Sequence, residues 1–172
     1  MGQNTAQETL ALRWTQLCND AVLNSFPGKV ELNGFGVIEM SPASTRHARV
    51  QAAVTAQLSA QLPQGGVLTE CPVLTSDGIR VPDAAWASSA FFERHGDATP
   101  LPQAPEICVE VRSPSNTDEE MEHKTHLFLE AGAVEVWILS EDRTHRIFDT
   151  AGEQASSRYP VQLNLPAAAV GP

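Results

Sequence analysis

The sequence is poor in cysteine and lacks long apolar runs, and each scarcity excludes a class of protein. Its three cysteines, Cys18, Cys71 and Cys108, are odd in number and widely separated. That pattern fits neither a disulfide framework nor a cysteine-type zinc site, and it favours a reducing compartment. No stretch approaches the roughly 18 apolar residues of a membrane span, and residues 1–14 lack the basic and apolar regions of a secretory signal. We therefore expect a soluble, cytoplasmic protein without a membrane partner.

Basic residues are also scarce. Lys plus Arg number 11 against 21 Asp plus Glu, which gives a formal net charge of −10. Such a charge opposes tight, salt-driven binding to a phosphate backbone. A nucleic-acid-binding function would therefore need a local basic strip or bridging metal ions.

Hydrophobic periodicity and turn signals predict helices alternating with strands. The predicted helices cover residues 7–18, 44–62, 88–96 and 117–131, and Gly132 stops the last of them. The predicted strands cover residues 29–33, 36–40, 67–74, 79–86, 106–112, 133–140 and 143–149.

One mixed sheet with helices packed against it accounts for this order of elements. With 172 residues, 42% of them hydrophobic, the chain is long enough to bury the core of one domain. We predict a single α/β domain of the α+β type with its core at 29–150. A helical segment at 1–28 would precede this core, and a weakly structured tail at 151–172 would pack on it or extend from it.

Function is most often found where a residue contradicts the pattern around it, and Lys124 is the first such residue. It lies near the centre of the apolar face that Met121 and Phe128 form on the predicted helix 117–131. A lysine there either buries its stem and extends its ammonium group to water, or points at an anionic group or a catalytic water.

Two acidic residues also break the pattern. Glu110 lies inside the most hydrophobic strand, where a carboxylate is costly unless it is paired or binds a metal. Its neighbour on the same face, Arg112, is one candidate partner. Asp83 follows Pro82 at the end of a β-like run, a position that is also common in ordinary turns.

Taken together, these residues describe a metal-dependent chemistry. Asp83 and Glu110 would supply two carboxylates, and the carbonyl of Val111 a third oxygen, which are the ligands that Mg²⁺ prefers. The ion would activate a water and stabilise charge on a scissile phosphate. Lys124 would place a positive charge beside that water or phosphate.

Four stretches carry a resemblance to a known family, and they occur in the family's order: VELNGFGVIEMSPASTRH at 30–47, VPDAAWAS at 81–88, PEICVEVRSPSN at 105–116 and HKTHLFLEAGAVEVWILSEDRTHRIFD at 123–149. In these stretches the sequence resembles the Uma2 family of restriction-endonuclease-like proteins, within the PD-(D/E)xK nuclease superfamily. The resemblance covers residues 29–150. It implies a restriction-endonuclease-like fold and hydrolysis of DNA phosphodiester bonds with Mg²⁺ or Mn²⁺. Nucleases of this fold are commonly homodimers, so we expect one here.

The resemblance also implies roles for particular residues. Asp83 and Glu110 would bind the metal, and Lys124 would be the catalytic lysine. The lysine that normally follows the strand carboxylate by two residues is replaced here by Arg112, a poorer water activator. The lysine role would therefore have moved to Lys124.

Three further residues are candidates for the site. His47 matches a family position, although a histidine on an apolar helix face is equally often a satisfied core residue. Glu39 and Glu70 lie on predicted strands that could point toward the site.

Two functions of different classes remain open. One is a Mg²⁺-dependent endonuclease. The other is a binding or regulatory module that keeps the fold without cutting nucleic acid, which the net charge and the replaced lysine favour. A third, a self-associating structural protein, rests only on the apolar strand at 133–140.

Overall fold

A computed structural model describes residues 2–22, 25, 28–42, 44–140 and 142–167. Within these ranges the helices are α1 (Gly2–Cys18), α2 (Thr45–Gln61), α3 (Ser89–His95) and α4 (Asp118–Glu130). The strands are β1 (Lys29–Leu32), β2 (Ile38–Ser41), β3 (Gly65–Thr69), β4 (Val73–Thr75), β5 (Gly78–Arg80), β6 (Ala84–Ser88), β7 (Ile107–Arg112), β8 (Glu135–Ser140), β9 (His145–Asp149) and β10 (Gly152–Gln154). None of these helices is both long and apolar enough to cross a bilayer.

The strands form two sheets. One has four antiparallel strands in the order β2-β1-β5-β4, and the other has six strands in the order β10-β9-β8-β7-β6-β3. The six-stranded sheet is mixed, because β7 and β8 are parallel whereas their neighbours pair antiparallel. The predicted single domain of the α+β class is confirmed, but the expectation that all strands share one sheet is corrected to two sheets.

Prolines explain why the two sheets separate. The predicted strand 67–74 breaks between β3 and β4, and the predicted strand 79–86 breaks between β5 and β6. Pro72 and Pro82 have no backbone N–H and so cannot continue a ladder, and Glu70 adopts a φ of 52° beside the first break. At these two breaks the chain passes from one sheet to the other, and Asp83 lies at the second break.

Alternating residues of the six-stranded sheet face two different helical layers. On one face Trp86, Val109 and Trp137 pack with the buried residues of α2, Val50, Val54 and Leu58. On the other face Ala85, Cys108 and Val136 pack with Phe91 of α3 and Phe128 of α4. Because Glu110 follows Cys108 by two residues, its side chain lies on the face toward α4.

Helix α1 covers one face of the four-stranded sheet. Its Leu10 and Trp14 pack against Leu32, Ile79 and Val81, with Val30 at the edge of the cluster. Lys29 and Glu31 alternate with these apolar residues, so their side chains lie on the other face of β1.

Local sequence fixes both ends of α4. Thr117 caps its N-terminus, and the side chain of Glu120 accepts a hydrogen bond from the Thr117 N–H at 3.0 Å, which completes a capping box. Gly132 adopts a φ of 105° directly after the helix, a conformation that favours glycine. The boundaries predicted for this helix are correct to within one residue, and Lys124 lies near its middle.

Part of the C-terminal tail is anchored on the core. Strand β10, which the sequence did not predict, extends the edge of the six-stranded sheet. Gln57 and Gln61 of α2 donate hydrogen bonds to the carbonyls of Asn164 and Gln162, and Leu165 is buried. Residues 168–172 of the predicted tail lie outside the described residues.

A buried carboxylate also holds this tail. Glu135 is 1% exposed and accepts hydrogen bonds from Trp137 Nε1 (2.7 Å), Ser157 Oγ (2.6 Å) and the backbone N–H of Arg158 (2.7 Å). We expect Glu135→Ala to lower the free energy of unfolding by about 3 kcal/mol, because it leaves buried donors without an acceptor. Urea denaturation measures this. Glu153→Ala, which removes an exposed glutamate of β10, is the control, and equal losses in the two variants would contradict the anchoring role.

Candidate functional site

A cleft of about 550 Å³ opens where the two sheets meet. Six of the residues predicted from the sequence line it: His47, Glu70, Asp83, Glu110, Val111 and Lys124. They come from α2, the breaks at Pro72 and Pro82, β7 and α4, so the fold brings together residues that lie far apart in the sequence.

Asp83 is held at the base of this cleft. It is 2% exposed, its Oδ2 accepts a hydrogen bond from the Val111 N–H at 2.7 Å, and its Oδ1 lies 2.7 Å from Lys29 Nζ. Burial alone would raise the pKa of Asp83, but the contact with His47 and the charge of Lys29 outweigh it and lower the pKa to about 2. Asp83 is therefore ionised at neutral pH.

Glu110 lies beside Asp83, but its pKa shifts in the opposite direction. It is 4% exposed, and its Oε2 lies 3.3 Å from Lys29 Nζ and 3.5 Å from Lys124 Nζ. Burial raises the pKa of Glu110, and the two lysines only partly offset that effect. Among the described residues, nothing donates a hydrogen bond to its buried Oε1. Such an oxygen is costly to leave unpaired.

Lys124 points at carboxylates. Its Nζ lies 3.0 Å from Glu31 Oε2 and 3.5 Å from Glu110 Oε2, and its side chain is 18% exposed. Glu31 is itself held in place, since its Oε1 accepts the Val81 N–H at 2.8 Å. The sequence left two alternatives for Lys124: an ammonium group extended to water, or one that faces an anionic group. Its position agrees with the second.

Lys29 is the cation that sequence reasoning missed. Its Nζ lies between the carboxylates of Asp83 and Glu110, at 2.7 and 3.3 Å, and its side chain is 10% exposed. Burial disfavours the charged form, but the charges of Glu110, Asp83 and Glu31 outweigh that effect and raise the pKa of Lys29. Its ammonium group is therefore fully protonated at neutral pH.

The amino-acid composition contains a feature that points to Lys29. The chain contains only two lysines, and both lie within 3.5 Å of Glu110 Oε2. Lys29 and Glu31 also alternate with the apolar residues of β1, which places both side chains on one face of that strand.

His47 joins the site from the first turn of α2. Ser44 caps that helix and accepts the His47 N–H at 3.0 Å, which fixes the start of the helix beside the cleft. His47 Nε2 lies 3.4 Å from Asp83 Oδ1, and the contact with Asp83 raises the pKa of His47 against the opposing effect of burial.

Arg112, Glu39 and Glu70 are the remaining candidates from the sequence. Arg112 does not pair with Glu110, because its Nη1 lies 2.6 Å from Asp118 Oδ1 at the start of α4. Glu39 pairs with Arg80 at 2.5 Å, outside the cleft. Glu70 is exposed at the cleft, and its N–H approaches the Asp83 carbonyl at 3.4 Å. The Glu110–Arg112 ion pair considered for the sequence is thus wrong.

The carboxylates suit a hard divalent cation. Asp83 and Glu110 already share one cationic partner, the ammonium of Lys29, and Glu110 Oε1 offers an unpaired oxygen. Across the described part of the chain, no group of three or more His, Cys, Asp or Glu side chains converges as a metal site. Asp83 and Glu110 offer the one or two carboxylates through which Mg²⁺ or Mn²⁺ binds while it keeps several waters.

The lowered pKa of Asp83 predicts a pH dependence of stability. A carboxylate with a folded-state pKa of about 2 against 3.8 in the unfolded chain stabilises the fold above pH 3.8 and loses that contribution as the pH falls toward 2. The contribution is on the order of 2 kcal/mol. We expect the difference in free energy of unfolding between wild type and Asp83→Asn to shrink across this interval. Urea denaturation at several pH values checks this, and a difference that stays constant would contradict it.

Comparison with known proteins agrees with this fold. The sequence model of the Uma2 family, described as "Putative restriction endonuclease", matches residues 25–169. Among solved structures, the chain resembles the crystal structure of a putative nuclease belonging to DUF820 from Anabaena variabilis ATCC 29413, with a TM-score of 0.60 and 15% sequence identity over 73% of this chain and 76% of that one. No curated protein matches the chain.

Proposed function

Because this chain belongs to the Uma2 family, we propose that it is a metal-dependent endonuclease that hydrolyses phosphodiester bonds of DNA. The observation that carries the proposal is the meeting of Asp83, Glu110 and Lys124 at one cleft. The same three residues stand out in the sequence because each contradicts its local pattern.

Asp83 and Glu110 would hold Mg²⁺ or Mn²⁺, with the carbonyl of Val111 as a further oxygen. When bound, such an ion lowers the pKa of a water and stabilises charge on a phosphate. The contact of Asp83 with the Val111 N–H fixes one carboxylate, and the contacts of Glu110 with Lys29 and Lys124 position the other. These two constraints orient the ligands before substrate arrives, which is what a preorganised site requires.

Lys124 would bind the scissile phosphate or the attacking water. Its ammonium group is held by Glu31 at the edge of the cleft, so it presents a fixed positive charge where negative charge develops. His47, with its raised pKa, would hold a proton at Nε2 beside Asp83. Arg112 is bound to Asp118 and Glu39 to Arg80, so neither has a direct role in this scheme, and Glu70 would lie at the rim where substrate enters.

The net charge of −10 shapes how DNA would bind. Overall charge gives little salt-driven attraction to the backbone, so a divalent ion shared between the carboxylates and a phosphate would supply much of the affinity. The test is cleavage of plasmid and branched DNA by purified protein with Mg²⁺ or Mn²⁺. Absence of cleavage beyond that of a Lys124→Met control would contradict the enzymatic proposal for those substrates.

We further propose that the protein is a homodimer in the cytoplasm. Two sites, one for each strand, would allow a double-strand cut. Cys71 and Cys108 are buried thiols that form no disulfide, which suits a reducing compartment. Light scattering coupled to gel filtration at several concentrations measures the oligomeric state.

The second candidate is a non-catalytic binding or regulatory module. The observation that favours it is that Lys29 already occupies the space between the two carboxylates. Calorimetric titration with Mn²⁺ separates the two candidates. Metal binding that is lost in Asp83→Ala supports the enzyme, whereas no binding by the wild type supports the module.

A further inference from the structure

One cationic group of the site has no role in the proposed chemistry. Lys29 Nζ contacts Asp83 Oδ1 and Glu110 Oε2, the two carboxylates that would hold the metal. A divalent ion bound by both carboxylates needs a position between them, and that position is the one the ammonium group takes.

The charges at the site give a reason for this arrangement. Asp83, Glu110 and Glu31 converge within hydrogen-bond range of the two lysines. Without Lys29, Asp83 would keep His47 and Glu110 would keep Lys124 as a partner, but no cation would lie between the two buried carboxylates, and neighbouring like charges repel. With Lys29 and a divalent ion both present, two cations would compete for the same oxygens.

The cleft has room for the Lys29 side chain to move. Its side chain lines the cleft of about 550 Å³, and its backbone is held in β1 between β2 and β5. A flexible four-carbon stem allows the ammonium group to move while the strand stays in place.

We propose that Lys29 is an internal substitute for the metal: its ammonium group occupies the cation position in the metal-free protein and is displaced into the cleft when a divalent ion binds. Lys29 is thus a positioning residue, which keeps Asp83 and Glu110 together before the ion arrives and weakens apparent metal affinity by competing for the same oxygens. This inference rests on the proposed function, because it takes Asp83 and Glu110 as the metal ligands.

The chain offers a matched control, because its only other lysine also contacts Glu110. Lys29→Met and Lys124→Met each remove one ammonium group near Glu110, but only the first vacates the space between the carboxylates. We expect Lys29→Met to bind Mn²⁺ at least about tenfold more tightly than both Lys124→Met and the wild type, since the competing occupant is gone. Calorimetric titration measures the affinities, and circular dichroism establishes that each variant is folded.

A second measurement uses the unaltered protein. Lysine labelled with ¹³C at Cε gives two signals, one for each lysine, and the two variants assign them. We expect saturating Mg²⁺ to shift the Lys29 signal toward that of a solvent-exposed lysine, and the Lys124 signal to move less. An unchanged Lys29 signal in a sample that binds Mg²⁺ would overturn the proposal even if Lys29→Met failed to fold.

The calorimetric outcomes separate this inference from the proposed function. Equal affinities in all three proteins would refute displacement and leave the metal centre standing. If none of the three binds Mn²⁺, the metal centre itself is wrong, and displacement with it. Binding by Lys29→Met alone would overturn displacement, because the Lys29 ammonium group would then exclude the ion from the wild type, and it would favour the binding module.

Discussion

Replacing Lys124 with methionine is expected to lower metal-dependent DNA cleavage by about a thousandfold without weakening metal binding. Methionine keeps most of the apolar stem of this α4 residue, so the fold is preserved while the charge facing Glu31 and Glu110 is lost. The measurement is the single-turnover rate of plasmid cleavage at saturating Mg²⁺. Saturation matters because it separates the loss of a catalytic group from a change in metal affinity.

Arg112→Met is the informative control for this prediction. Arg112 stands where the superfamily motif normally has its lysine, but its guanidinium is bound to Asp118 and to the Asn116 carbonyl. We expect this variant to keep most of its cleavage rate. A loss in Arg112→Met as large as that in Lys124→Met would place the catalytic cation on β7 instead of α4.

Replacing Glu110 with glutamine is expected to weaken Mn²⁺ binding by about a hundredfold or more while leaving the protein as stable as the wild type, or more stable. The raised pKa of Glu110 sets the direction of the expected change in stability. A carboxyl with a folded-state pKa above its unfolded value favours folding at low pH, and this contribution is lost as the pH rises through the folded pKa. At neutral pH the glutamine amide removes the cost of burying a charged carboxylate. Lys29 still pairs with Asp83, and Lys124 still pairs with Glu31. Calorimetry measures the binding, and thermal unfolding measures the stability.

Asp83→Asn is the matched comparison, because the two carboxylates share a site but differ in the direction of their pKa shifts. Asp83→Asn is expected to lose both metal binding and stability at neutral pH. If Glu110→Gln proves the less stable of the two, the electrostatic description of the site is wrong.

The helices and strands near the site could be predicted from the sequence because their signals are local. The capping residues of α4 and Gly132 define that helix, and strict alternation defines β7. Within these elements Lys124 stands out as a charged residue on an apolar helix face, and Glu110 as a carboxylate inside the most hydrophobic strand. The structure brings them together, with their nearest polar atoms 3.5 Å apart.

The remaining features depend on contacts between distant parts of the chain. Lys29 and Glu31 lie on a short strand in the four-stranded sheet, and Lys29 meets Glu110 across 81 positions of sequence. No periodicity within β1 indicates which element its polar face will meet. The separation into two sheets follows from Pro72 and Pro82, but a proline break predicts only that a ladder ends and not which sheet the next strand will join.

The interpretation of Asp83 also changes because of contacts between distant parts of the chain. In the sequence a Pro-Asp pair has the pattern of an ordinary turn. In the structure Pro82 ends one sheet, and Asp83 is directed into the cleft, where it contacts Lys29 and the backbone of β7. The proline thus sets the position of the carboxylate.

Crystals soaked in Mn²⁺ and measured at the manganese absorption edge test the central claim most directly. The account predicts one anomalous peak between the carboxylates of Asp83 and Glu110, with Lys29 Nζ moved away from that position and Lys124 still facing Glu110. A map without a peak there, with the Lys29 ammonium group still bridging both carboxylates at saturating Mn²⁺, would contradict it.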